Sequence, residues 1–235
     1  MNFSKNKLLA ALKKSEYERL LPQLEEVFLP SGQILHKPNE PIKFVYFPTS
    51  AIISLTAPLE NLTIEIGIVG NEGMVGIPVF WGGNSTVHTA IVQVKGNTIK
   101  LDADVFRSEC SQNETLRKLL LIYTQALFTQ VSQNGACRAN HTIDKQLARW
   151  LLSIQDCIQQ DEFMLTQEFI SQMLGVRRAS VSEGAAALQK MKLISYSRGR
   201  IKILNRTGLE SASCSCYQLI KGESIRLMGS QYSVS

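Results

Sequence analysis

Apolar positions change their period twice along this chain of 235 residues. Over residues 8–21, Leu8, Leu9, Leu12, Leu20 and Leu21 recur at helical spacing and predict a pair of short amphipathic helices. From residue 24 to 101 the period falls to two. Val, Ile, Thr and Phe alternate with polar residues. Turn residues punctuate them at Pro30-Ser31-Gly32, Pro38-Asn39-Glu40-Pro41, Pro48, Gly70, Gly82-Gly83-Asn84 and Gly96-Asn97. Strands are predicted at Glu26–Leu29, Gln33–His36, Phe44–Phe47, Ala51–Ala57, Leu62–Val69, His88–Val94 and Thr98–Leu101. Short strands at this spacing indicate an antiparallel barrel or sandwich. No helices alternate with them, which argues against a parallel α/β sheet.

From Asn113 the period becomes helical. Leu116, Leu120, Tyr123, Leu127 and Val131 recur every three to four residues, and Leu119, Ile122 and Ala126 add a second apolar side. A helix from Asn113 to Ala139 that is apolar on two sides must be covered twice. The β domain supplies one cover. The same helix of a second subunit is expected to supply the other, with Leu116, Leu120, Tyr123, Leu127 and Val131 at the dimer interface; the alternative is a monomeric core helix. A further helix, Ile143–Ile158, buries Ile143, Leu147, Trp150, Leu151 and Ile154. The pattern divides the chain into a β-roll at 1–112, a dimerisation helix at 113–140 and a C-terminal unit at 141–235. The fold class is α+β.

The C-terminal unit carries the most specific signal. Thr166 can cap a helix with Glu168 in its first turn and Phe169, Ile170, Met173 and Leu174 on its buried face. Gly175 ends it, and a second helix follows over Arg178–Met191, with Val181, Ala185 and Leu188 turned inward. Two short helices joined by a glycine turn are a helix-turn-helix. Arg177, Arg178, Ser180 and Ser182 stand in the first turns of the second helix, the part that enters a major groove. Leu193–Tyr196, Ser197-Arg198-Gly199-Arg200 and Ile201–Leu204 then read as strand, turn and strand, a β-hairpin wing with Arg198 and Arg200 at its tip.

Charge supports this division. The chain holds 25 Lys and Arg against 20 Asp and Glu, a net charge of +5. Within residues 176–206 there are eight basic residues and one acid, Glu183, so the excess sits on the predicted helix-turn-helix and wing. The apolar share of 44% is ordinary for a globular protein, and no apolar run approaches a membrane span. The first residues are too charged for a signal peptide. Five sparse cysteines make no disulfide framework, which points to a reducing cytoplasm.

The order of parts, and above all Leu165-Thr166-Gln167-Glu168 through Gly175-Val176-Arg177-Arg178-Ala179-Ser180-Val181 and on to Leu188–Ile194, resembles the Crp/Fnr family of bacterial transcription regulators. The resemblance covers nearly the whole chain. It implies a homodimer on a near-palindromic double-stranded DNA operator, with RNA polymerase as a further partner and no membrane. It implies base reading by Arg178 and by Glu183, which can accept from a cytosine amine. Thr166, Gln167, Arg177, Ser180, Ser182, Arg198 and Arg200 complete the DNA-contacting set. Arg177 stands where the family usually has a capping Ser.

The resemblance also places an effector site at Gly70, Glu72, Gly73, His88 and Thr89 of the roll and Ser132 of the long helix. The match to a cyclic-nucleotide site is broken. Glu72 is displaced by one place, and Ser85–Ala90 lacks the arginine that would grip a cyclic phosphate. No arginine occurs between Arg19 and Arg107, and Lys95, Lys100 and His88 cannot form its bidentate fork. The expected effector is therefore something other than cyclic AMP.

Cys137, His141, Cys214 and Cys216 could form a zinc or iron–sulfur site in principle, but the two pairs are far apart in sequence and read more simply as inert thiols, with no metal expected. His36 and His88 read as ordinary core or surface residues. No catalytic motif is present. A cupin-like metal enzyme would need more inward His and Glu than the roll has. The remaining rival is an architectural DNA binder whose roll serves only as a dimer scaffold.

Overall fold

The computed structural model describes residues 5–60 and 62–229; the outer ends of the expected 1–112 and 141–235 units lie outside the described residues. The predicted helix pair is α1 (Lys7–Ala10) and α2 (Lys14–Leu20). Asn6 starts α1. Its side-chain oxygen accepts from the amides of Leu8 and Leu9, and its NH2 donates to the carbonyls of Pro48 and Gly73 at 2.9 and 2.8 Å. One buried side chain thus ties the first turn to two parts of the β domain.

All seven predicted strands form: β1 (Glu25–Leu29), β2 (Ile34–His36), β3 (Phe44–Pro48), β4 (Ile52–Leu59), β5 (Leu62–Val69), β6 (Thr89–Val94) and β7 (Gly96–Asp102). They make two antiparallel sheets, ordered β1-β7-β3 and β2-β6-β4-β5. The chain changes sheets between β6 and β7, at Gly96. A Cβ there would lie 2.5 Å from the backbone nitrogen of Ala51, so only glycine allows the crossing. The sheets close into the expected roll over Leu29, Ile53, Val69, Val75 and Val92, each burial contributing roughly 1.5–3 kcal/mol. A short helix, α3 (Ile77–Phe80), stands between β5 and β6, and α4 (Ala103–Gln112) follows β7 under an Asp102 cap.

The long helix is α5 (Glu114–Asn140), within a residue of its predicted bounds at either end. Its orientation corrects the sequence reading. Leu116, Leu120, Tyr123 and Leu127 are buried inside the protomer, and Val131 is packed against the same core, with Phe47, Phe106 and Met74 of the roll side. These five residues are the cover for the roll, not a dimer seam. Apolar periodicity reveals that a face is buried and is silent on what buries it. The exposed side of α5 instead presents Leu121, Gln125, Phe128, Ser132 and Gly135.

After the joint at His141-Thr142 come α6 (Ile143–Ile158), β8 (Glu162–Met164), α7 (Gln167–Leu174), α8 (Arg178–Lys190), β9 (Ile194–Ser197), β10 (Arg200–Ile203), α9 (Arg206–Ala212) and α10 (Cys216–Met228). Trp150, Leu151, Ile170, Leu174, Val181 and Leu188 centre the core of this unit. Its last helix leaves it. α10 runs back along α5, and Met228 is buried in the core that holds Leu8, Leu9 and Leu20. The sequence assigns residues 141–235 to one C-terminal unit and gives no sign of this return.

A polar network joins roll and C-terminal unit. Glu65 of β5 is buried; it accepts from the Trp150 indole at 2.7 Å and lies 2.6 Å from the Ser54 hydroxyl. Arg138 donates to the backbone oxygens of Glu65 and of Met173 in α7. Burial pushes the Glu65 carboxyl up to about 7, against the Ser54 and Trp150 hydrogen bonds and the charges of Arg138 and Arg149. Ser54 has one proton for two neighbouring acceptors, Glu65 and Gln93 at 2.8 Å; either a protonated Glu65 donating to Ser54 or a turned Gln93 amide, whose Nε2 has no partner among the described residues, resolves the conflict.

Candidate nucleic-acid interface

Thr166 caps α7 as its position requires, its hydroxyl accepting from the Phe169 amide at 3.1 Å. Gly175 ends the helix at φ +68°, and a Cβ on it would stand 2.7 Å from the Ile64 side chain of β5. Both the left-handed turn and the close approach of the roll demand glycine. Arg177 occupies the N-cap of α8 without making a side-chain cap. The place the capping serine would fill holds a cation directed to solvent.

Arg177, Arg178 and Glu183 are exposed, and Ser180 and Ser182 are half-buried along the same turns. Gln167, from the start of α7, gathers them. Its side-chain oxygen accepts from the Ser182 hydroxyl at 3.0 Å and lies 3.4 Å from Arg178 Nε. This holds the Arg178 fork at the mouth of the helix pair. Behind it, Gly184 and Ala185 are buried and let α8 approach Ile143 of α6 closely.

The wing forms as β9 and β10, paired antiparallel from Arg200–Ser197 to Ile203–Ile194, with β8 added on the far edge of β10. Arg198 and Gly199 both take positive φ, 51° and 78°, the two-residue turn whose twist suits a hairpin. Tyr196 pins the wing to the β8–α7 connection by donating to the Leu165 carbonyl at 2.8 Å. The two tip arginines are unequal. Arg200 is paired with Glu162 of β8 at 2.8 Å, while Arg198 is exposed and in no ion pair among the described residues. Lys202, which the sequence reading did not single out, projects to solvent between buried Ile201 and Ile203; strand alternation was the signal for it.

The effector residues divide. A cavity of about 760 Å³ lies between the roll and α5, and His88 and Thr89 line it together with His36, Trp81, Phe128 and Val131. Gly70, Glu72 and Gly73 do not. Their turn closes on itself, Glu72 accepting from the Gly70 amide at 2.9 Å, and Glu72 faces a second cavity beside Asp156 and Arg206. Ser132 is exposed on the outer side of α5 and lines neither cavity. The turn that does line the larger cavity is Gly76-Ile77-Pro78, with Gly76 at φ +100°. Its signal was the glycine before a helix-starting proline, six residues beyond the turn chosen.

Among the described residues, no Lys, Arg, Asp or Glu lines the larger cavity. Burial lowers the pKa of His36, partly offset by its hydrogen bond with the Phe44 carbonyl, and burial lowers that of His88. Both imidazoles are therefore neutral at pH 7. The cavity can hold an uncharged, largely apolar molecule and offers no counter-charge to a phosphate.

Cys137, His141, Cys214 and Cys216, distant in sequence, meet at the far end of α5. Cys214 hydrogen-bonds to Cys137. This, with the Arg149 charge, holds the Cys137 thiol well below its ordinary value despite burial, and Cys214 is raised in turn.

The profile of the Crp-like helix-turn-helix domain matches residues 145–212. No curated protein sequence matches the chain. Among solved structures, one similar protein is a putative transcriptional regulator of the Crp/Fnr family from Eubacterium rectale, 18% identical, with a TM-score of 0.68 over 86% of this chain and 94% of that one. FixK2 from Bradyrhizobium japonicum is 14% identical, with a TM-score of 0.69 over 81% and 98%. CLP, the c-di-GMP-responsive global regulator of Xanthomonas campestris, is 12% identical, with a TM-score of 0.66 over 81% and 99%. Residues 145–212 are thus similar to the Crp-like helix-turn-helix domain, and the chain shares the fold of these solved regulators. Among the described residues, no helix is long and apolar enough to cross a membrane.

Proposed function

We propose that this Crp/Fnr-type DNA-binding chain is a homodimeric, sequence-specific transcription regulator. It reads a near-palindromic operator and responds to an effector other than a cyclic nucleotide. The observation that carries the DNA reading is one exposed face holding the Arg178 fork, the Arg177 cation and the Arg198 tip around a Crp-like helix pair. Arg178 and Glu183 read bases, while Arg177, Ser180, Ser182, Thr166, Gln167 and the wing hold phosphates. Arg178→Ala should cost about 1–3 kcal/mol at the preferred operator and relax its sequence preference. An unchanged ranking of operator variants in competition binding would remove Arg178 from base reading.

The dimer reading rests on the outer face of α5. Leu121, Gln125, Phe128, Ser132, Gly135 and Ala139 are exposed at alternating spacings of four and three, the seam of a two-stranded coiled coil. Leu121 and Phe128 are 56% and 71% exposed, which is costly for residues of that size without a partner. RNA polymerase is the partner an operator-bound dimer would act on.

The effector reading rests on the larger cavity. Phe128 lines it and also stands on the proposed seam, so a bound molecule touches the dimer contact directly. That favours a regulator over an architectural binder. A cyclic dinucleotide, carried over from the Xanthomonas neighbour, would bring phosphates to walls without a cation. Cyclic AMP, cyclic GMP and cyclic di-GMP should give no binding heat at physiological levels. A micromolar dissociation constant by calorimetry for any of them would refute the uncharged-effector reading and leave the DNA reading standing.

A further inference from the structure

Cys137 lies near the end of α5, His141 caps that helix, and Cys214 and Cys216 flank the start of α10. The three sulfurs are buried, at 0%, 5% and 1% exposure, and contact one another in a cluster separate from the apolar cores. Inert thiols behave as small hydrophobes and pack among aliphatic side chains. These do not. Cys137 Sγ is 3.5 Å from Cys214 Sγ, Cys216 Sγ is 3.5 Å from His141 Nδ1, and all four donor atoms lie within 4.8 Å of one another. Gln133 donates to Cys216 Sγ at 3.1 Å, an outer hydrogen bond of the kind that orients a thiolate ligand.

The spacing discriminates between ions. Zinc–sulfur bonds of about 2.3 Å in a tetrahedron set donor atoms about 3.8 Å apart. The observed separations bracket that value, so one ion fits with small side-chain shifts. An iron–sulfur cluster places several atoms between its thiolates and spreads them wider. Three thiolates and an imidazole are a zinc ligand set, soft enough to reject magnesium and calcium.

We propose that Cys137, His141, Cys214 and Cys216 bind one zinc-class divalent cation in a tetrahedral site that staples the start of α10 to the end of α5. Loading exchanges the three thiol protons, released to solvent, for the cation and leaves a net charge of −1 on the site, beside the buried Arg149 guanidinium. The site stands apart from the DNA interface, and its test does not depend on DNA.

The test uses the full chain, reduced, stripped with a chelator and titrated with cobalt(II) alone. One equivalent should bind with the intense visible bands of tetrahedral cobalt and a near-ultraviolet thiolate charge-transfer band. One equivalent of zinc should abolish both and raise the melting temperature. Cys216→Ser should weaken zinc binding at least about 100-fold, and Cys110→Ala, at a thiol outside the cluster, should leave it unchanged. If Cys216→Ser fails to fold by circular dichroism, His141→Ala, on the partly exposed ligand, serves as the second variant. The proposal is overturned by weak octahedral spectra, or by unaltered cobalt bands in His141→Ala or Cys216→Ser. It is equally overturned by brown protein carrying iron and sulfide, or by a reduced chain that takes no cobalt and a native one with a Cys137–Cys214 disulfide.

Discussion

The DNA-facing end and the cavity of the roll handle charge in opposite ways. The start of α8 and the wing set exposed cations around a shared polar residue, Gln167, with water on one side. The cavity shows the reverse: walls without a charged side chain, and two histidines held neutral by burial. One end attracts a polyanion at long range and the other excludes even a single phosphate. Under the proposed function, two ligands of unlike chemistry would be sensed by one chain without competing for the same site. What must connect them is α5, whose Leu121, Gln125 and Phe128 both line the cavity and stand on the proposed seam.

The sharpest way to break this picture is on α5. Leu120→Glu buries a charge in the protomer core and should cost more than about 4 kcal/mol, unfolding the chain in circular dichroism. The paired Leu121→Glu and Phe128→Glu change should leave the fold intact, yield a monomer by sedimentation and weaken palindromic DNA by about 100-fold or more. An intact dimer in the double variant would place the seam elsewhere.

The junction offers the next largest effect. Unfolded, the Glu65 carboxyl loses its proton near its ordinary value of 4.5; folded, it keeps it up to about 7. Between those values the folded state holds more protons, so stability falls as pH rises through this window, by about 3 kcal/mol, and levels off above it. Glu65→Gln keeps the shape and should flatten that slope in urea melts at pH 5 and pH 7.5. A slope that survives the change would assign the linkage to another group.

The smallest effect separates the two wing arginines. Arg198→Ala should shallow the salt dependence of DNA binding by about one unit for all sequences. Arg200→Ala should do less, because Glu162 already holds its charge, and Glu162→Gln should steepen the slope by freeing it. Equal slopes for the two alanine variants would mean that the ion pair opens on DNA.

The two ends also differ in how far the sequence discloses them. The Thr166 cap, the left-handed turn at Gly175 and the Arg198-Gly199 turn act through neighbours within a few residues, so helix-turn-helix and wing can be read from spacing alone, whereas the seat of Gly175 on Ile64 cannot. The seven strands followed from alternation and turns in the same way. The cavity is assembled from Gly76, His88 and Phe128, and no local pattern links these three. The turn at Gly70 looked suitable only because its composition was right. The inner and outer faces of α5 differ in what covers them, a tertiary fact that periodicity does not encode. The cysteine pairs meet because α10 returns, and nothing in the spacing of residues 216–228 announces where that helix docks.

That return has a mechanical consequence. The DNA-binding body is tethered to the rest of the protomer at two chain crossings, His141-Thr142 on the way in and Cys214–Cys216 on the way out. Two separated tethers would make an axle and confine the body to one swing. Here the crossings sit side by side, their donor atoms within 4.8 Å, so the chain itself makes a single pivot rather than an axle. The roll supports the body at further points, the Glu65–Trp150 hydrogen bond and the seat of Gly175 against Ile64, and Arg138 of α5 reaches the Met173 carbonyl, so the pivot turns only when those contacts open.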